Sequence, residues 1–320
     1  MAQFLYKTVK PSGGDYTSLE ACMNANEQDL TGDGWFDVEI DGTWSSADTT
    51  AVTIHNYTTT ADDYINIYTT SAARHLGVYS TSYYRLLVAG YLSYPLTISS
   101  TFVAIVGLQI YGNNTSTAVI TITVAQSTIN NNIITEIGGN RLVSLSNGGA
   151  AWTVKNIFNN IIYTSGSQEG IGIYYYNPGG TINIYNNTIY SCTTGISYYD
   201  NYNGGNIKNN LCITNTTDYN LGGSSVTFTN NGSSDLTGNV GFRSMVDTDL
   251  FVDTASNYHL KAGAAAIDVG TDLSGTFTDD IDGVTRSGTW DIGADEYVAA
   301  GGEVYYTTIN NAVICNAIIG

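Results

Sequence analysis

The chain has 320 residues, of which only 12% are charged; Asp and Glu number 28 against 10 Lys and Arg, for a formal net charge of −18. That balance excludes nucleic acid and anionic membrane as partners, since no basic cluster overrides the repulsion. Gly at 35 and Tyr at 25 are abundant and Pro numbers 3, so solubility rests on Ser, Thr, Asn and Tyr, as on a long β surface.

In chain order, the opening MAQFLYKTVKPSGG has no apolar run of signal-peptide length, and no later stretch reaches the roughly eighteen apolar residues of a membrane span. Residues 1–35 are expected to form an N-terminal cap. VKPSGGDYTSLEACMNANEQ reads as strand, turn and short helix, with Asp15, Thr17 or Ser18 as N-cap and Leu19, Cys22 and Met23 on one face. A stack of strands needs such a cover over its terminal edge. Within the alternating runs that follow, Asp29, Asp33 and Asp37 in DLTGDGWFD place oxygens at positions 1, 5 and 9 of a calcium-loop pattern with glycine at 6. Position 12 is Ile40 rather than the bidentate Glu. They are the candidate calcium ligands.

Residues 36–250 are expected to form coils. VEIDGTW, AVTIHNY, YINIYTT, YRLLVAG and VAIVGLQIYG lead into an asparagine-pair repeat: Asn113-Asn114, Asn131-Asn132, Asn159-Asn160, Asn186-Asn187, Asn209-Asn210 and Asn230-Asn231, spaced 18, 28, 27, 23 and 21. A period in this range marks a solenoid, and period-2 alternation inside each unit makes its elements strands. The density of Ile, Val and Tyr excludes a disordered asparagine-rich tract. The fold expected is an all-β parallel β-helix whose coils stack about 4.8 Å apart. The asparagines turn a corner, because Asn tolerates left-handed backbone and its amide can bond to the next Asn along the stack. Thr115, Ile133, Ile161, Thr188 and Leu211 then stack as an interior row. The four cysteines, Cys22, Cys192, Cys212 and Cys315, show no metal spacing and read as small buried apolar residues.

VKPSGGDYTSLEA resembles the entry segment of right-handed parallel β-helix proteins of the pectin-lyase-like superfamily. FVDTASNYHLKAGAAAIDVG (251–270) and DDIDGVTRSGTWDIGADEY (279–297) resemble the closing module of bacterial and phage β-helix repeat proteins. There, elements like His259-Leu260, Ile267 to Gly270 and Asp291 to Ala294 end the solenoid. The resemblance implies a right-handed solenoid closed by residues 251–297, with His259 structural and Asp279, Asp280 and Asp282 capping turns. The superfamily spans polysaccharide lyases, tailspike depolymerases, surface proteins and non-catalytic virion components, so the resemblance carries architecture rather than chemistry. Residues 298–320, rich in Ile, Val and Tyr, are either one more strand laid back on the solenoid or an apolar docking and oligomerisation segment.

Catalysis would need carboxylates or a base at repeated register. Glu136, Glu169, Asp200 and Asp218 lie at +5, +10, +14 and +9 from the first Asn of their coils. Glu169 and Asp218 are the catalytic candidates, yet two coils put them about 10 Å apart, beyond the roughly 6.5–9.5 Å of an inverting pair. A lyase base would come from Arg141, Lys155 or Lys208, none with an acidic cluster at its register. Aromatics make the stronger surface. Tyr174, Tyr175, Tyr176, Tyr198, Tyr199 and Tyr202 fall at similar places in consecutive coils, and alternation sends some of them outward as a binding patch, or else stacks them along the helix. Together these features read as a non-enzymatic structural or adhesive β-helix, a phage virion component such as a decoration, fibre or tail protein. Its partners are further copies or virion proteins met through 298–320, and surface glycans. A polysaccharide-degrading tailspike or lyase is the alternative. No cofactor is expected. Synthesis is expected in the cytoplasm, and the destination in the virion or outside the cell after lysis.

Overall fold

The first asparagine of each pair has left-handed backbone, with φ of 56° at Asn131, 52° at Asn159, 47° at Asn186, 57° at Asn209 and 51° at Asn230. Asn pays little for that conformation, so the chain turns sharply after each preceding strand. In the computed structural model, which describes residues 4–32, 34–90, 94–113, 118–124, 126–146, 154–166, 169–176, 180–199 and 203–299, these turns are corners of a right-handed parallel β-helix. Its three parallel sheets contain nine, seven and seven strands. The first runs from Leu5–Val9 to Ser225–Thr229, the second from Arg85–Ala89 to Gly232–Ser233, and the third from Val52–Ile54 to Thr217–Asn220. About six coils contribute a strand to all three.

The second asparagine satisfies the corner. The Asn160 amide donates to Ile129 O (2.8 Å), Phe158 O (3.0 Å) and Asn187 Oδ1 (2.9 Å), while its own Oδ1 accepts Asn132 N at 3.0 Å. Asn132, Asn187 and Asn210 repeat that pattern, and Asn231 passes the ladder to Asn239 Oδ1. All five second asparagines are fully buried, where an unpaired backbone N–H would cost about 1–3 kcal/mol. Upstream the corner changes hands. Gly107, with φ of 78°, and Leu108 stand where the pair would be, and Leu108 N donates to Asn132 Oδ1 at 2.9 Å. Asn113 instead ends the strand Gln109–Asn113, in register with Ile137. The spacing of 18 therefore marked a different position in the coil. Asn114 and Thr115 lie outside the described residues.

Inside, side chains stack coil on coil. Val38, Ile67, Ile105, Ile129, Ile157, Ile184, Ile207 and Phe228 form one column of the first sheet. Leu86, Ile110, Ile134, Ile162, Ile189 and Cys212 form that of the second. The expected interior row of Ile133, Ile161, Thr188 and Leu211 is therefore displaced by one residue. These residues are in register as foreseen, but they lie on the outer face of the second sheet, and a one-residue shift along a strand reverses its face. They are buried nonetheless, because Ile133, Ile161 and Leu211 pack with Leu260, Ala266, Ile281, Ile292 and Ala294 of the C-terminal segment. Cys22, Cys192 and Cys212 are free and buried, and desolvation pushes the Cys22 thiol up to about 12. Cys315 lies outside the described residues.

At the N-terminal end the helix Leu19–Ala25 starts at Ser18, whose Oγ accepts Ala21 N at 3.2 Å, and buries Leu19, Cys22 and Met23. The C-terminal segment runs along the flank, over the corner between the first and second sheets, whereas the resemblance implies that it closes the end. The first asparagines supply its anchors. Asn131 donates to Asp279 Oδ2 (3.0 Å) and Asp280 O, Asn159 to Asp279 O (2.7 Å), and Asn186 to Asp291 O (2.9 Å). Asn209 donates to Thr271 O (2.8 Å), and Asn230 to Thr271 Oγ1 (3.1 Å). Arg286, fully buried, donates to Asn159 Oδ1, Gly293 O, Ala294 O and Glu296 Oε2. Gly293, with φ of 103°, lies so close to the second sheet that a Cβ would stand 2.9 Å from Thr188 Oγ1. The Asp-Ile-Gly-Ala stretch is thus explained residue by residue. Asp291 accepts Asp268 N and Tyr297 N, Ile292 is buried, and Ala294 N donates to Thr188 Oγ1.

Two measurements test this arrangement. Ile162→Asp places a charge in the closed interior and is expected to abolish soluble folding, whereas Ile161→Asp leaves a folded solenoid with a freed C-terminal segment. Limited proteolysis should remove only residues after 250 from Ile161→Asp and degrade the whole of Ile162→Asp, and equal behaviour of the two variants would refute the assignment of faces. The second test concerns His75. It is fully buried, with Nδ1 accepting Gly77 N at 3.2 Å and Nε2 at 2.9 Å from Asn131 O. Desolvation and the nearby Arg74 charge hold it down to about 3. Its folded value lies below the unfolded one near 6.5, so the unfolded chain binds the extra proton, and stability present above pH 6.5 is lost as the pH falls towards 3. This group should cost about 3 kcal/mol between pH 7 and pH 4. Denaturant titrations at both pH values should show His75→Gln losing less stability on acidification than wild type, and an unchanged difference would refute the neutral tautomer.

Candidate functional site

Strands Ile171–Tyr176 and Thr194–Tyr198 pair with Tyr175 opposite Tyr198 and Tyr174 opposite Ser197. Ile173 and Ile196 point inward as members of the main core, so period-2 alternation turns Tyr175 and Tyr198 inward as well. These two rings are 3% exposed and pack tilted to one another, centroids 5.3 Å apart, inside the solenoid. Tyr174, Tyr176 and Tyr199 face out. Tyr176 and Tyr199 are 47% and 62% exposed, with ring centroids 5.0 Å apart. Tyr174 lies beneath them, 6.2 Å from Tyr176 and 6.3 Å from Tyr199, with the Arg141 guanidinium 3.9 Å over its ring. A cation over a desolvated ring adds about 1–2 kcal/mol and holds the plane of that ring. The six tyrosines thus divide into two core residues, an outer platform of three, and Tyr202, which lies outside the described residues.

Among the described residues, the candidate acids do not converge. Asp218 is fully buried in Thr217–Asn220, where it accepts Asn215 Nδ2 (2.8 Å), Ser234 N (2.6 Å), Ser234 Oγ (2.8 Å) and Asp235 N (3.0 Å). Those bonds tie the last coil to the turn that follows it, and burial raises the carboxyl above its ordinary range against their pull. Glu169 is exposed on the loop before Ile171. One acid sealed inside and one in solvent cannot flank a single glycosidic bond. Glu136 is fully buried, so close to Gly170 that a Cβ there would stand 2.3 Å from Oε1. Asp200 lies outside the described residues. Among the bases, Lys155 shares the inward parity of Ile157, is 1% exposed, and is drawn down to about 8 by desolvation. It faces the core, away from any substrate on the surface.

Of the calcium candidates, Asp29 and Asp37 accept hydrogen bonds locally. Asp29 is exposed and accepts Thr31 N (2.9 Å) and Thr31 Oγ1 (2.6 Å). Asp37, on Phe36–Ile40, accepts Trp35 Nε1 and Asn66 Nδ2, each at 3.0 Å. Asp33 lies outside the described residues. Gly32 and Gly34, which frame it, donate to Asp63 Oδ2 and Oδ1 at 3.2 and 2.9 Å, so a carboxylate from the next coil organises this loop. Among the described residues, a different group has the spacing to hold a metal ion: His259, Asp282 and Asp295. His259 and Asp282 read as structural and turn-capping from the sequence. Residues 23 and 13 apart in an irregular segment share no period, so no pattern could join them. The segment 298–320 falls, beyond residue 299, outside the described residues.

No protein-family model matches the chain, and no curated protein matches it. Among solved structures it is similar to the pectate lyase Pel9A, with 13% identity, 92% of this chain and 97% of that chain covered, and a TM-score of 0.36. Chemistry does not transfer across so distant a likeness.

Proposed function

We propose that this protein is a non-enzymatic structural or adhesive β-helix, a phage virion component of decoration, fibre or tail type, which contacts surface glycans through Tyr176 and Tyr199. The observation that carries the glycan contact is the exposed pair of rings 5.0 Å apart on consecutive coils, braced by Tyr174 under Arg141. Two fixed rings offer flat apolar faces for sugar C–H groups and hydroxyls for their oxygens, with little entropy lost on binding. Against cleavage stands the separation of Glu169, in solvent, from Asp218, sealed and bonded four times. The virion placement rests on the resemblance of residues 251–297 to phage and bacterial β-helix repeat proteins, and it entails release by lysis.

A panel of immobilised bacterial surface polysaccharides probed with the fluorescently labelled protein tests the contact. At least one polysaccharide should bind wild type, and Tyr176→Ala with Tyr199→Ala should weaken that binding about tenfold or more, since stacking of one ring contributes about 0.5–1.5 kcal/mol beyond its buried area. Melting temperatures should remain unchanged. Equal binding by the variant, or release of reducing ends or unsaturated products by wild type, would refute the reading.

Assembly is the second part. Val304, Tyr305, Tyr306, Ile309, Val313, Ile314, Ile318 and Ile319 give residues 298–320 an apolar composition that suits pairing with a neighbouring chain, and identical copies then form a ring or a repeating array. Truncation after Tyr297 should leave a cooperatively melting solenoid that sediments as a smaller species than the full chain. Aggregation of the truncated chain, or an unchanged sedimentation coefficient, would overturn the docking role.

A further inference from the structure

We propose that His259, Asp282 and Asp295 form a binding site for a first-row divalent transition metal ion, zinc in the first instance, which pins the C-terminal segment in its folded form on the flank of the solenoid. One ligand atom from each residue lies within 4.8 Å of the others, and His259 Nε2 stands 2.8 Å from Asp282 Oδ2. One imidazole with two carboxylates is a donor set suited to zinc or manganese. Calcium asks for six to eight oxygens, and a histidine does not serve it.

Three further features converge on the group. His259 Nδ1 faces Asn257 Oδ1 at 2.5 Å, which leaves Nε2 as the nitrogen turned to the carboxylates; a ligating histidine commonly holds its other nitrogen on such an acceptor. Asp282 Oδ1 is buried and has no hydrogen-bond partner, an arrangement that costs free energy until a cation or donor meets it. Gly77, with φ of 65°, passes over the group from the solenoid side. A Cβ there would lie 2.3 Å from His259 Nε2 and 2.6 Å from Asp282 Oδ1, so glycine keeps the space beside both ligand atoms open.

Composition points the same way. Asp280, Asp291, Asp295 and Glu296 are buried in this segment, where Glu296 pairs with Arg286, so buried carboxyls outnumber the buried guanidiniums of Arg74 and Arg286 and a divalent cation suits them. Side-chain exposures of 18% at His259 and 23% at Asp282 leave a path for the ion. The three ligands come from the strand Asn257–Leu260, the turn after Asp280 and the stretch before Tyr297, so one ion cross-links three separate stretches of the C-terminal segment.

The test uses the full chain, stripped with EDTA and dialysed. Titration with ZnCl2, followed by calorimetry and metal analysis, should give one zinc per chain, and free zinc at about 100 times Kd should raise Tm by about 5 °C. MgCl2 and CaCl2 at equal concentration should leave Tm unchanged. Asp282→Asn, which keeps the shape of the side chain, should weaken zinc binding about tenfold or more, and His259→Gln should remove it. Should either variant fail to fold, cobalt(II) added to the stripped wild-type chain gives the answer. Visible d–d bands that zinc displaces support the site, and their absence refutes it. Zinc uptake unaffected by Asp282→Asn, or an unchanged Tm, would mean that the group is an imidazolium held between Asn257 and Asp282, with no metal role.

Discussion

The corner between the first and second sheets is the constraint on which the rest of this solenoid depends. A chain that turns there inside a closed stack buries backbone N–H and C=O groups beyond the reach of the strand ladders, and water cannot satisfy them. The second asparagine of each pair meets all of these needs with one amide. Its Nδ2 serves carbonyls of its own coil and of the coil before, while its Oδ1 takes the N–H of the preceding corner. Each rung depends on the next, so the ladder sets coil spacing and register together. It also explains why coil lengths vary by several residues while the corner does not, since variation is confined to the other turns.

The first asparagine of the pair does different work. Its left-handed backbone aims the side-chain amide outward, away from the ladder, and those amides are what the C-terminal segment bonds to from Asn131 to Asn230. The strand that follows each pair then presents Ile133, Ile161, Thr188 and Leu211 on the same flank, which the segment covers. A β-helix with one apolar outer column would expose a continuous patch along its length, and the segment removes that liability. Arg286 completes the attachment by donating to the Gly293 and Ala294 carbonyls, which also accept Asn186 Nδ2 and Ile281 N. Covering a flank in this way spans five coils, whereas a lid on one end would stabilise a single coil.

The exposed tyrosine platform stands on a face that neither the core nor the segment uses. On the third sheet, alternation sends one tyrosine of each coil inward to fill the wide interior and its neighbours outward to form a platform. The same residue type therefore serves packing and presentation within three positions of sequence. The acids follow the opposite rule. Asp218 and Glu136 are buried inside the fold, where Asp218 ties the last coil to the turn that follows it, and Glu169 stands apart in solvent.

The sequence by itself determined the class of fold. The asparagine pairs, their spacing and the alternation around them are local features, and a solenoid is built from local units, so Ser18 as helix cap, the left-handed corners and the stacked amides follow from short stretches. It did not determine which face was inner. Strand residues alternate with a period of two, and both Ile161 and Ile162 are apolar because both are buried, one by the solenoid and one by a segment more than a hundred residues later in the chain. Asn113-Asn114 misled for a related reason: the motif is legible, but its place in the coil is not, and Gly107-Leu108 can make the corner as well. The partners of Arg286, the fate of each tyrosine, and the meeting of His259 with Asp282 and Asp295 arise where an irregular segment returns to a regular one. No period links them, and only tertiary packing decides which side chains meet there.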